Sequence, residues 1–129
     1  MMVVEGQQMV GNILTLWNPQ VMSLIAAKAT RHTLTVCMQI IGNIEVILCT
    51  NVYGPQVSEE KRGMIRDLED LKTRSNNLQW ILTGDFNIIT SLAEKKGGTR
   101  RLDRDAKDFL MFTNTMEMVD IKTNNGQFT

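Results

Sequence analysis

At 129 residues, with 43% hydrophobic and 22% charged side chains spread along its length, the chain is sized for one folded domain, and its composition argues against a disordered protein. Fourteen Lys and Arg balance fourteen Asp and Glu, so attraction to nucleic acid must come from a local patch rather than net charge. The apolar runs are too short for a bilayer and Met1-Met2-Val3-Val4 lacks a basic leader, which sets the expectation of an intracellular protein, nuclear or cytoplasmic, with no membrane partner.

The first run with strand character is Ile13-Leu14-Thr15-Leu16-Trp17, closed by the turn signal Asn18-Pro19. Thr33 to Ile40 then alternates apolar and polar with period two, as a half-buried strand does. Gly42-Asn43 suits a two-residue hairpin loop, and Ile44 to Tyr53 forms the return strand, ended by Gly54-Pro55. In that register Val36 faces Cys49 and Cys37 faces Leu48, so the two cysteines fall on opposite faces and cannot pair. The same register puts His32 opposite Tyr53, with Asn51 and Tyr53 on one face. Neither cysteine has metal-site spacing, and both are read as reduced, buried thiols.

Ser58 can cap a helix whose first turn holds Glu59 and Glu60, where the helix dipole favours acids. Met64, Leu68 and Leu71 form its apolar stripe with Ile65 beside them, and Asn76-Asn77 stop it. The apolar strand from Gln79 to about Thr83 predicts burial on both faces. After a basic loop, Lys95 to Arg101, a second helix is expected from about Asp103, with Ala106, Phe109, Leu110, Thr113 and Met116 inward. Met118 to Ile121 fits a short strand, and Asn125-Gly126 a turn. This order of elements predicts a single domain of mixed α/β or α+β class.

Three places could carry chemistry. Gly84-Asp85-Phe86-Asn87 leaves the end of an apolar strand, where catalytic groups of α/β proteins commonly emerge. Asp85 could orient or deprotonate a water, and the Asn87 amide could donate to a phosphoryl oxygen. A plain turn built from good turn formers explains the same four residues equally well. Tyr53 ends a second strand, and its hydroxyl could donate to a phosphate, although an interfacial tyrosine with a wet hydroxyl is the commoner case. Lys95, Lys96, Arg100 and Arg101 surround Gly97-Gly98 and could approach a nucleic-acid backbone; such a run is also often just a solvated loop. His32, the only histidine, is assigned no catalytic role.

Taken together, Asn12 to Asn18, Asn51-Val52-Tyr53-Gly54-Pro55 and Trp80 to Asn87 resemble the endonuclease/exonuclease/phosphatase superfamily. Glu94-Lys95-Lys96-Gly97-Gly98-Thr99-Arg100-Arg101, Val119-Asp120-Ile121 and Asn125 to Thr129 look like the endonuclease domain of plant LINE-type retrotransposons. The resemblance implies a DNase I-like fold, two packed sheets flanked by helices, that cuts DNA phosphodiester bonds with a divalent metal, usually Mg²⁺. It implies that Asp85 orients or activates the attacking water, that Asn87 holds the phosphate or the metal-bound water, and that Tyr53 hydrogen-bonds the scissile phosphate. The family pattern also has an early asparagine and a metal-binding glutamate, and a late aspartate–histidine pair, which find no counterpart here. Glu5 has no motif around it, and no histidine follows His32. Residues 1–129 are therefore expected to be a partial domain, the central portion of such an enzyme, inactive as an isolated chain and without a small-molecule cofactor. The alternative is a non-enzymatic remnant that binds nucleic acid through the basic loop 95–101.

Overall fold

A computed structural model describes residues 2–4, 6–88 and 104–121. Among them the backbone forms two sheets and two helices, an α+β architecture. The first sheet is an antiparallel meander of β1 (Met2–Val4), β2 (Gln7–Val10) and β3 (Ile13–Leu16). The second has the order β4 (Met22–Ala29), β5 (Thr33–Ile40), β6 (Val46–Tyr53), β7 (Gln79–Asp85). Its first three strands are antiparallel, while β7 runs parallel to β6. Helix α1 (Ser58–Arg74) makes that parallel crossover, and α2 (Arg104–Thr115) packs beside it.

The expected hairpin register holds: Val36 pairs with Cys49 and Cys37 with Leu48. The cysteines are free and lie on opposite faces. The loop, however, is wider than two residues. Asn43 N–H donates to the Ile40 carbonyl at 3.1 Å with Gly42 at φ +83°, and β6 starts only at Val46. The turn thus closes one residue earlier than Gly42-Asn43 would suggest.

Period two assigns the sheet's faces. Leu48, Thr50 and Val52 point to the helices, as do Thr33, Thr35 and Cys37 opposite them. There Val52, Met64, Ile65, Leu68 and Phe112 form the buried core, with Trp80, Leu82, Phe86 and Phe109 packed against it. Burying each large apolar side chain contributes about 1.5–3 kcal/mol, so this layer dominates the energetics of the fold. Its rings meet edge to face or tilted, Trp80 on Phe112 at 6.4 Å and Phe86 on Phe109 at 4.8 Å. Two buried threonines under α1 are satisfied rather than stranded. Thr35 and Thr50 share a hydroxyl hydrogen bond of 2.9 Å, and Trp80 Nε1–H donates to Thr50 Oγ1 at 2.9 Å. On the other face Leu34 and Val36 are fully buried, and β3 lies across β5 and β6.

Four expectations need correction. Ser58 does not cap α1; it is the first helical residue, and its hydroxyl donates instead to Asp105 Oδ2 at 2.6 Å. Strand β7 is not buried on both faces. It is the edge of its sheet, so Trp80 and Leu82 turn to the core while Ile81 on the other face stays half exposed. The inner stripe of α2 keeps the expected Ala106, Phe109 and Met116 but also takes in Asp105 and Phe112, both buried and neither expected there. Finally, 118–121 is not a strand. Glu117 adopts a left-handed φ of 54°, Met118 N–H reaches back to Thr113 O at 2.9 Å, and Glu117 N–H reaches Asn114 O at 3.1 Å. That Schellman ending turns the chain away from α2 and leaves Val119 and Ile121 exposed.

Strands β1, β2 and β4 were not expected from the sequence. No helix among the described residues is long and apolar enough to cross a membrane.

Candidate phosphate-contact site

The parallel pairing of β6 and β7 ends on Tyr53 opposite Asp85. Both side chains emerge on the face away from the helices, in line with Asn51 and Thr83. Just beyond, the two chains draw together more closely than a regular ladder allows. Gly54 N–H donates to the Asp85 carbonyl at 2.6 Å. A side chain at Gly54 would fall on the Phe86 backbone, and one at Gly84 on the Val52 carbonyl, while Gly84 itself sits at φ +126°. Both positions therefore require glycine, and the requirement brings the two strand ends into backbone contact.

Asn87 completes the corner. Its φ of 55° is left-handed, a conformation asparagine tolerates better than most residues. Its backbone N–H donates to Asp85 Oδ1 at 2.9 Å, an Asx turn, and its side-chain amide donates to the Gly54 carbonyl. Tyr53, Asp85 and Asn87 are thus drawn to one end of one strand pair, as the sequence suggested. The turn reading and the site reading coexist: Asp85 and Asn87 do build a turn, and that turn fixes where their remaining polar atoms point.

Those remaining atoms define the chemistry available. The Tyr53 phenol is half exposed and can donate or accept. Asp85 keeps Oδ2 without a partner among the described residues, a free acceptor for a water or for a hydrated cation. The Asn87 amide carries two hydrogens, and one has no acceptor among the described residues, leaving it for an anionic oxygen. Donor, acceptor and donor within one corner suit a tetrahedral anion and a water beside it.

A resident Mg²⁺ fits these residues poorly. It takes six oxygens in near-octahedral order, commonly including one or two carboxylates. Here a single exposed carboxylate has one oxygen already engaged by the Asn87 N–H. Among the described residues no three His, Cys, Asp or Glu gather at one point. This corner alone therefore supports no catalytic step through a metal.

Lys95, Lys96, Arg100 and Arg101 lie outside the described residues, as do Glu5 and Asn125 to Thr129. Cys37 and Cys49 take no part; burial pushes both thiols above their ordinary value of 9.0, which keeps them protonated and poorly nucleophilic. His32 does reach the rim, where its carbonyl accepts the Tyr53 N–H at 2.9 Å. Its neighbour Arg31 was not singled out in the sequence. Arg31 precedes His32 in the same turn, and its guanidinium lies 3.7 Å from Glu60 of α1.

Compared with known protein families and with characterised proteins, the chain matches no family model and no relative.

Proposed function

We propose that this chain carries the phosphodiester-contacting part of a metal-dependent DNA endonuclease of the retrotransposon target-nicking kind, and that the isolated chain binds DNA without cutting it. The observation that supports this best is the pairing of Tyr53 with Asp85 at the end of two parallel strands, with Asn87 locked across to Gly54. Tyr53 and the second Asn87 amide hydrogen donate to the non-bridging oxygens of a phosphodiester. Asp85 Oδ2 accepts from a water placed beside it, the position of an attacking nucleophile. When Mg²⁺ is bound in such enzymes it supplies charge stabilisation to the phosphoryl group. In this chain the family's metal-binding glutamate and its aspartate–histidine pair have no sequence counterpart, hence binding without turnover. Action in an intracellular compartment, nuclear or cytoplasmic, suits that substrate.

The test is plasmid nicking together with DNA binding by the purified chain. With supercoiled plasmid and Mg²⁺, no conversion to the nicked circle above background is expected. Anisotropy with a labelled duplex should show binding that falls steeply with added salt, because phosphate contacts release counterions. Tyr53→Phe and Asn87→Ala should each weaken it. Mg²⁺-dependent nicking that vanishes in Asp85→Ala would overturn the inactive reading and keep the family. Binding that ignores both corner variants would move the contact to the basic loop 95–101, the non-enzymatic alternative.

A further inference from the structure

On the side of Tyr53 away from Asp85, the rim of the sheet continues into the turn that joins β4 to β5. This turn is tightly determined. Thr30 N–H donates to the Thr33 carbonyl at 2.9 Å, and the two hydroxyls share a 2.7 Å hydrogen bond. Thr30 Oγ1 also accepts from the backbone N–H groups of His32 at 3.3 Å and Thr33 at 3.1 Å. The turn is fastened to the site as well, through the Tyr53 N–H on the His32 carbonyl.

Arg31 stands out of this fixed frame with 81% of its side chain exposed. Its ion-pair partner among the described residues is Glu60 in the first turn of α1, 3.7 Å away and itself 41% exposed. The other Glu60 oxygen lies 4.0 Å from His32 Nε2. An exposed pair at that distance holds weakly, so the guanidinium can exchange partners at little cost.

Resting on the phosphodiester reading above, we infer that Arg31 is a second phosphate-contact residue for the same nucleic-acid strand, with Glu60 as its stand-in counterion when no nucleic acid is bound. The spacing supports it. Adjacent strands lie about 4.8 Å apart, so the backbone row Asp85, Tyr53, His32 covers about 10 Å of rim. Arg31 precedes His32 at the end of that row, with its guanidinium on the α1 side of the rim beside Glu60, so a strand that crosses the rim from the Tyr53 face meets it next. A DNA strand carries a phosphate every 3.4 Å or so of helix axis, so a backbone laid across these strand ends presents further phosphates along that row. A guanidinium binds such an oxyanion through two parallel N–H donors, which an exposed carboxylate cannot match once the phosphate arrives. The rigid turn spares much of the ordering cost of an arginine on a loose loop.

The experiment uses the full chain and a short labelled duplex, with affinity followed by anisotropy as NaCl is raised. Arg31→Gln should weaken binding several-fold and lower the slope of log affinity against log salt by about 0.9, the value of one lost phosphate contact. Arg31→Lys should keep the slope. Glu60→Gln should tighten binding several-fold in the native background and leave it unchanged in Arg31→Gln. An unchanged slope in Arg31→Gln, with Tyr53→Phe still weakening binding, would overturn the inference and leave the phosphodiester site standing. Equal tightening by Glu60→Gln in both backgrounds would overturn the pairing, since Glu60 would then act only through general charge. No binding by the native chain even at low salt would remove the proposed function and this inference together.

Discussion

Lys61 and Asp105 offer the sharpest test of how the two helices are held on the sheet. Asp105 is 6% exposed and begins α2, while Lys61 lies in the second turn of α1. Their charged atoms are 3.7 Å apart, with side chains only 12% and 7% exposed. Ser58 Oγ donates to the same carboxylate oxygen, and the other oxygen is buried without a hydrogen-bond partner among the described residues. Removing the cation as Lys61→Met would leave a buried carboxylate held by one hydroxyl and the start of α2. Breaking a buried pair from one side costs about 3–5 kcal/mol. The surviving Ser58 hydrogen bond to a charged group returns about 1.5–3 kcal/mol of that, so a net loss of about 2 kcal/mol is expected. Asp105→Leu should cost about 1 kcal/mol, because Lys61 can extend its flexible stem to water and Ser58 is exposed enough to be hydrated. The double variant should lie within about 1 kcal/mol of the native chain, since apolar replacement of a buried pair is often neutral. Urea unfolding followed by tryptophan fluorescence gives all four stabilities, provided the m-value is shared. The expected coupling is about −3 kcal/mol. Additive single effects would refute the reasoning, because they would mean the two charges do not feel each other in the fold.

Two further outcomes follow from single residues. Glu117→Gly should stabilise the chain by about 1 kcal/mol, because a left-handed C′ residue without a Cβ carries no steric cost; a loss on thermal or urea unfolding would contradict the Schellman ending. For Cys37 and Cys49, burial disfavours the thiolate, so their folded values are raised; the stability they contribute is full below the unfolded pKa and is lost as pH rises through the folded one. Alkylation by iodoacetamide in the native state should therefore reach half its limiting rate above pH 9.0, and in urea at lower pH.

What could be read from the chain, and what could not, divides along physical lines. The β5–β6 register was legible because strict alternation leaves only one pairing that keeps both apolar sets inside, and a one-residue slip would expose them. The corner of Tyr53, Asp85 and Asn87 was legible for a related reason: strand ends marked by Gly-Pro and by Gly-Asp show where polar groups leave a sheet. Strand β4 was not, since Ala26-Ala27-Lys28-Ala29 has helix-forming residues, and it is a strand only because β5 offers its open edge. The α2 stripe was read only in part, through Ala106, Phe109 and Met116, because a buried aspartate belongs to it as well. Asp105, Phe109, Phe112 and Met116 keep helical spacing, but a hydrophobic pattern cannot count a carboxylate whose partners come from another helix. Gly84 shows the same limit from the other side. In sequence it marks a turn, yet β7 runs through it to Asp85, and what the glycine permits is the close approach of Val52. Local pattern carries register and strand ends, whereas contacts between distant segments decide which polar residues are buried and which glycines are indispensable. The corner that brings Tyr53 to Asp85 depends on both: alternation places the two side chains on one face, and two glycines, thirty residues apart in order of magnitude, let the strand ends meet.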